Sequence, residues 1–367
     1  MAPGSIPDSQ IPQRRIITLN DAERVLRTSG SRVSFTECLD CIQTADDIKN
    51  HDERDQALTV RDLAVERGIS IFNPKNIHNN RFPKFVSASV SFFLAKSPSI
   101  DALPENIVKA EKFITELRSN GLSQNPRKEY LTKIDKEIQH LSELSLLLAE
   151  TTPQARVRLS SKLRHPFRCP ELAIDACNRA LAERPTDEAA LTSRAAAFLD
   201  IHDTPAAKSD LTTALRLNER NTPTLVVVVR YLAAERDLKK ALTYALEAVS
   251  ICEEIEHTED TPQSALTSYR YALSSVLSVA TEDTNLRDET ALKIINLGEV
   301  TGQPTPYFFL LAVQHAIDAG NFLHAERLLK KISQVQINLN GGERSQVKSL
   351  RSKIKRWKQR NQGQFDI

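Results

Sequence analysis

Three octapeptides decide the fold: residues 173–180 (AIDACNRA), 207–214 (AKSDLTTA) and 241–248 (ALTYALEA). Ala173, Ala207 and Ala241 stand 34 residues apart, and Ala180, Ala214 and Ala248 repeat that step seven residues on. Cys177, Leu211 and Ala245 form a third column between them. The segments upstream keep the same phase. Leu191, Ala195 and Phe198 precede the second octapeptide, and Leu225, Val229 and Leu232 precede the third. Turns follow at Arg184-Pro185, Glu219-Arg220 and Glu253-Glu254. An ordinary alanine-rich bundle has a 3.6-residue period but holds no longer phase. A fixed 34-residue phase requires stacked pairs of antiparallel helices, with small side chains where backbones cross and bulkier ones between successive pairs.

Outward from this centre the pattern loosens. Ala291 and Gly298 keep the seven-residue pair, but Ala291 lies 50 residues after Ala241. The additional 16 residues are expected in longer helices or in the acidic loop from Glu253 to Asp260, with a first helix over Pro262 to Ala280. Ala325 is again 34 beyond Ala291, and Phe309, Val313, Ala316, Gly320, Ala325 and Leu329 read as a fifth pair, with Ile332 at the second alanine position. Val226 to Val229, four apolar residues in a row, read as a buried strand in isolation. Pro223 and the repeat phase around them favour a helix.

These residues resemble the tetratricopeptide repeat family. Ala173, Cys177, Ala180 and Pro185 match the second helix of its unit; Leu191, Ala195, Phe198, Ala207, Leu211 and Ala214 match the next unit, with Glu219 where proline is usual. Leu225, Leu232, Ala241, Ala245 and Ala248 match a third, with Val229 at a position that is usually small and Glu253 at the proline. The resemblance covers residues 154–335. It implies an all-α fold, a right-handed superhelix of antiparallel helix pairs, and a concave face that takes a partner peptide or helix. The positions it implies for that face are Thr192, Ala196, Leu199 and Asp200 in one unit. In the next they are Val226, Arg230, Ala233 and Ala234, and further on Tyr307, Leu310, Gln314, Ile317 and Asp318. Members that bind chaperone C-termini clamp a carboxylate with Lys and Asn at such places. Thr192, Ala196, Val226 and Arg230 do not reproduce that clamp.

After Gly341-Gly342, residues 343–360 (ERSQVKSLRSKIKRWKQR) carry eight basic residues and Glu343 as the one acid. That segment is +7, although the whole chain is +2. Val347, Leu350, Ile354 and Trp357 recur at helical spacing. The reading is an amphipathic helix that covers the last repeat. An alternative is contact with nucleic-acid phosphates through Lys348, Arg351, Lys353 and Lys355, continued by Arg356, Lys358 and Arg360. An anionic membrane surface or a calmodulin-like partner is a third reading.

Residues 1–15 are expected to be disordered and 16–100 to hold short helices. Ser34 and Glu37 form a capping box, which starts a helix at Phe35. A helix from about Asp52 to Arg67 is expected to end in a left-handed cap at Gly68. Phe82 to Leu94 read as helix, 97–103 as a linker, and 101–153 as a helical hairpin. In its second helix Lys133, Asp135, Lys136, Glu137 and Glu143 face solvent; a short coiled-coil dimer is the alternative for this hairpin. The repeat array spans 154–340 and the basic tail 341–367.

Composition agrees with helices. Only 10 of 367 residues are glycine, under half the usual share, which disfavours glycine-rich phosphate loops and many-turned barrels. No secretory apolar region and no bilayer-length apolar run occur. The five cysteines, Cys38, Cys41, Cys169, Cys177 and Cys252, do not form a disulfide framework, so a reducing, cytoplasmic setting is expected. Cys38 and Cys41 form a CxxC pair, but zinc needs two further ligands and no second pair exists. The eight histidines are scattered, without HExxH. No catalytic residue, cofactor or metal is expected. The sequence thus predicts a non-enzymatic adaptor or scaffold for a protein or peptide, with a nucleic-acid-associated or peptide-sensing regulator as the alternative.

Overall fold

The computed structural model describes residues 18–28, 33–46, 53–73, 79, 81–122, 128–254, 261–280, 283–300, 310, 313–314, 316–318, 320–334 and 341–361. The described residues are helical or in turns, and they divide into two compact units, Met1–His202 and Asp203–Ile367. The division falls inside the array read as 154–340.

The first unit contains α1 (Leu19–Thr28), α2 (Phe35–Asp46), α3 (Arg54–Ile71), α4 (Phe82–Ala95), α5 (Leu103–Leu122) and α6 (Lys128–Ala149). It continues with α7 (Pro153–Arg164), α8 (Pro170–Glu183) and α9 (Glu188–Asp200). The capping box forms in full: the Ser34 N–H donates to the Glu37 carboxylate at 2.8 Å, and the Glu37 N–H donates to Ser34 Oγ at 3.2 Å. Phe35 is thereby set into an aromatic cluster, with its ring 4.9 Å from Phe85 and 5.8 Å from Phe72.

Two expectations change here. Gly68 does not end its helix. α3 runs on to Ile71, and a Cβ at Gly68 would stand 2.6 Å from the Phe85 ring. Glycine is there to let α3 approach α4, a packing requirement that a cap signal imitates. Glu137 does not face solvent. It is 1% exposed, accepts from Ser87 Oγ of α4 at 2.8 Å and pairs with Lys133. Burial opposes its charge, but Lys133, Ser87 and His140 outweigh that and hold its carboxyl below the usual range. Residues 97–102 do join α4 to α5 without helix, and the connection is tied down. The Ile100 N–H donates to Asp175 of α8 at 2.9 Å, Asn106 Nδ2 donates to Ser97 Oγ at 2.8 Å, and Arg179 forks onto both Asp101 oxygens.

The second unit contains α10 (Thr204–Leu217), α11 (Thr222–Ala234), α12 (Leu238–Glu253), α13 (Gln263–Val279) and α14 (Thr284–Val300). It ends with α15 (Phe322–Gln334) and α16 (Gly341–Asn361). Helices α8, α10 and α12 begin at 170, 204 and 238, which keeps the 34-residue step. Every alanine of the two columns, from Ala173 to Ala248, is 0% exposed. The quartet Val226 to Val229 lies in α11, so the repeat phase overrides the local β signal. Of the two sequence explanations of the irregular fourth pair, longer helices are seen: α13 has 17 residues where α11 has 13, and α14 has 17 where α12 has 16. Most of the acidic loop from Glu253 to Asp260 lies outside the described residues.

The turns repeat as strictly as the helices. Arg168, His202, Arg236 and Gly320 all take positive φ, between 57° and 78°. Each directly precedes the residue before a second helix. At two of these turns the next N–H, from Asp237 or Asn321, reaches back five residues to the carbonyl of Leu232 or Ala316, at 2.9 and 2.8 Å. That is a Schellman closure. Asp203 and Asp237 then cap the following helices by accepting from Ala206 and Lys240. Asp187 and Asn221 cap the first helices in the same way.

Candidate partner-binding surface

The positions implied for the concave face divide between the two units. In the first, α9 is built of small residues, and its neighbours close around it. Thr192, Ala196 and Leu199 are 7%, 2% and 8% exposed. Asp200 accepts from Arg164 Nε of α7 at 2.6 Å, and that guanidinium is 10% exposed. The Arg164–Asp200 pair ties α7 to α9, and little of Thr192, Ala196 or Leu199 is open to a ligand.

In the second unit, α11 is more open. Val226 and Ala233 are half-buried against the core, and Arg230 and Ala234 are exposed. Sequence reasoning missed the matching residue on the neighbouring first helix, α13. Arg230 lies nine residues after the cap Asn221, and Tyr271 lies nine after Pro262 at the start of α13. Tyr271 is 54% exposed. The long fourth pair shifted the alanine phase and hid this equivalence; aligning the helix starts recovers it.

The α13 backbone is fixed from behind. Tyr269 is buried, and its hydroxyl donates to Glu253 Oε1 of α12 at 2.9 Å, while Lys293 Nζ of α14 donates to the same oxygen at 2.8 Å. Burial and the Glu253 charge push the Tyr269 phenol up. Burial alone would raise Glu253, but Lys293 and the phenol hold its carboxyl below the ordinary value. With Tyr269 turned inward, Tyr271 points out. An exposed arginine fork and an exposed phenol ring suit a ligand with a carboxylate and an apolar side chain.

Of the later positions, Leu310 is 1% exposed and Ile317 8%. Gln314 donates to Asp318 at 2.6 Å and accepts from Lys353 Nζ of α16 at 3.3 Å; Asp318 is exposed. Tyr307 lies outside the described residues. The α16 stripe packs against the unit's core: Val347, Leu350 and Ile354 are 6%, 1% and 5% exposed. Trp357 stacks on Phe322 of α15 at 4.9 Å and 10°. Of the basic residues, Lys353 turns to Gln314, and Arg351, Lys355 and Lys358 line a cleft against α15. Lys348 and Arg356 are exposed, and the side chain of Arg360 lies outside the description.

All five cysteines are buried and unbridged. Burial, with the Glu37 charge behind it, pushes the Cys41 thiol up to about 12; burial does the same to Cys169. Such thiols stay protonated near neutrality and are poor nucleophiles and ligands. Among the described residues, no group of three or more His, Cys, Asp or Glu side chains is placed to hold a metal ion. No helix among them is long and apolar enough to cross a membrane.

Paired helices at a 34-residue step, alanines at each crossing and a repeated turn decide the fold. The chain has a tetratricopeptide-like fold. No protein-family model matches the sequence, and no curated protein matches it. Among solved structures, a tetratricopeptide repeat protein from Parabacteroides merdae aligns at 11% identity over 87% of this chain and 98% of that one, with a TM-score of 0.37. Yeast Tom70 aligns at 10% identity over 93% of this chain and 78% of its own, with a TM-score of 0.41. The TPR domain of P58(IPK) aligns at 10% identity over 92% and 97%, with a TM-score of 0.23.

Proposed function

We propose that this chain is a non-enzymatic adaptor that binds a protein or peptide partner on the face shared by α11 and α13. The observation that carries this reading is the exposure of Arg230 and Tyr271 at equivalent positions of two first helices that pack side by side. Both helices rest on a finished core, so their outer residues are not needed to complete it. The surface is preformed, which limits the ordering cost of association. Aromatic and arginine side chains supply most of the binding energy in interfaces of this kind.

The test is capture of partners from the native host by the wild-type chain, Arg230→Glu and Tyr271→Ala in parallel. A protein retained by the wild type and lost by both variants, with circular dichroism unchanged, is the expected result. An identical set of retained proteins in all three overturns this surface. A bulky substitution, Ala233→Trp, is expected to act in the same direction by filling the space beside Arg230.

A further inference from the structure

The second unit holds another feature outside that surface. α15 and α16 enclose a cleft of about 790 Å³. One wall carries Arg327 and Lys330 of α15. The other carries Arg351, Lys355 and Lys358 of α16. Leu329 and Ile354 supply the apolar floor. Spacings of four and three residues put the three α16 cations on one face, over a rise of about 10 Å. The one acid in the lining, Glu326, is taken by Lys358 at 2.7 Å. Among the described residues, Arg327, Lys330 and Lys355 meet no carboxylate within ion-pair distance. Covering the last helix pair uses the apolar stripe Val347, Leu350 and Ile354, whose centre lies about 75° round α16 from that of the three cations, so capping does not account for cations on both rims.

We infer that this cleft binds an acidic peptide segment whose carboxylates flank apolar residues, the acids pairing with Arg327, Lys330 and Lys355 and the apolar side chains resting on Leu329 and Ile354. Two observations favour a peptide over a nucleic acid. The charged backbone that would meet these cations gains nothing from an apolar floor. Trp357, the one tryptophan of the chain, is already stacked on Phe322 and is not available to a base. Charge on the rim speeds encounter and selects the partner, and the floor supplies burial.

The probe is a fluorescein-labelled dodecapeptide of four Leu-Glu-Glu triplets, titrated with the full chain and followed by anisotropy. The comparisons are the same peptide with Ser for Leu and an oligothymidylate with eight phosphates. The Leu-Glu-Glu peptide is expected to bind, more weakly as salt rises. Its affinity is expected to fall about tenfold with Lys330→Glu plus Lys355→Glu, and about tenfold with Ser for Leu. Arg230→Glu is expected to leave it unchanged, which separates this cleft from the α11–α13 surface. Lys330 and Lys355 are exposed, and Trp357 fluorescence reports whether α16 stays docked in the variant. Should the double reversal disturb it, Lys330→Gln plus Lys355→Gln gives the same test with a smaller loss. No binding of the peptide, binding indifferent to these substitutions, or tighter binding of the oligothymidylate overturns the inference.

Discussion

Replacing Gly68 by alanine sets two effects of known size against each other. Alanine in a helix interior is favoured over glycine by about 0.5–1 kcal/mol. If local propensity decided, Gly68→Ala would stabilise α3. The new Cβ, however, would lie 2.6 Å from Phe85 Cε2. Phe85 cannot easily retreat. It is 0% exposed, and its ring is held by Phe35 at 4.9 Å and by Phe72, Phe82 and Phe113 at 6.4 Å. Forcing a methyl into a packed core costs about 1–3 kcal/mol. Subtracting the helix gain leaves a net loss of about 0–2.5 kcal/mol, centred near 1, or about 4 °C in Tm for a unit of this size. Thermal unfolding followed by circular dichroism reads this shift. A double-mutant cycle isolates its cause. In a Phe85→Leu background the smaller side chain vacates the contact, and Gly68→Ala is expected to become neutral or stabilising by up to about 0.5–1 kcal/mol. A higher Tm for Gly68→Ala in the native background, or an equal loss in both backgrounds, would refute the reasoning.

Other outcomes follow from the same structure. Ala245→Leu, at a 0% exposed crossing of α12, is expected to destabilise by about 1–3 kcal/mol. The control Thr243→Leu, on the exposed face, stays within about 0.5 kcal/mol, and thermal unfolding followed by Trp357 fluorescence distinguishes the two. At Gly320 (φ +78°), an added Cβ meets nothing within 4 Å. Gly320→Ala therefore costs backbone strain alone, about 1 kcal/mol, and Arg236→Gly gains a similar amount; urea midpoints check both. Glu137 has a folded pKa below the ordinary glutamate value of 4.5. Its contribution is present above that pH and is lost as pH falls through the lower folded value. Glu137→Gln is expected to cost about 1.5–3 kcal/mol at pH 7, and the gap to wild type should narrow on acidification below pH 4.5, measured as urea midpoints across pH.

The helix pairs were legible from the sequence because their packing constrains composition at fixed places. Only alanine-sized residues fit where Ala173, Ala207 and Ala241 sit, and no other force scatters alanine at that step. The capping box at Ser34 and Glu37 was legible for a similar reason, since both partners lie within one turn. Gly68 and Glu137 were misread because their roles depend on α4, which is distant in sequence. A glycine after a helical run and a glutamate on an amphipathic helix each have a local explanation, and Phe85 and Ser87 supply a different one. The candidate surface was legible only in part. Arg230 keeps the repeat phase. Tyr271 lost it to the longer fourth pair. The burial of Thr192, Ala196 and Leu199 follows from how closely small residues pack, which periodicity does not report.

Caps, helix starts and left-handed turns all share one step, and this makes residues 203–236 a cassette. A second copy inserted after Arg236 would open on the Asp203 cap where Asp237 now stands, and it would close on a turn of the same hand. A copy one residue longer or shorter would rotate every following side chain by about 100° around its helix and carry the alanines away from their crossings. Lengthening by recombination is therefore quantised in such a chain. The fourth pair is the exception, with a first helix, α13, four residues longer than α11.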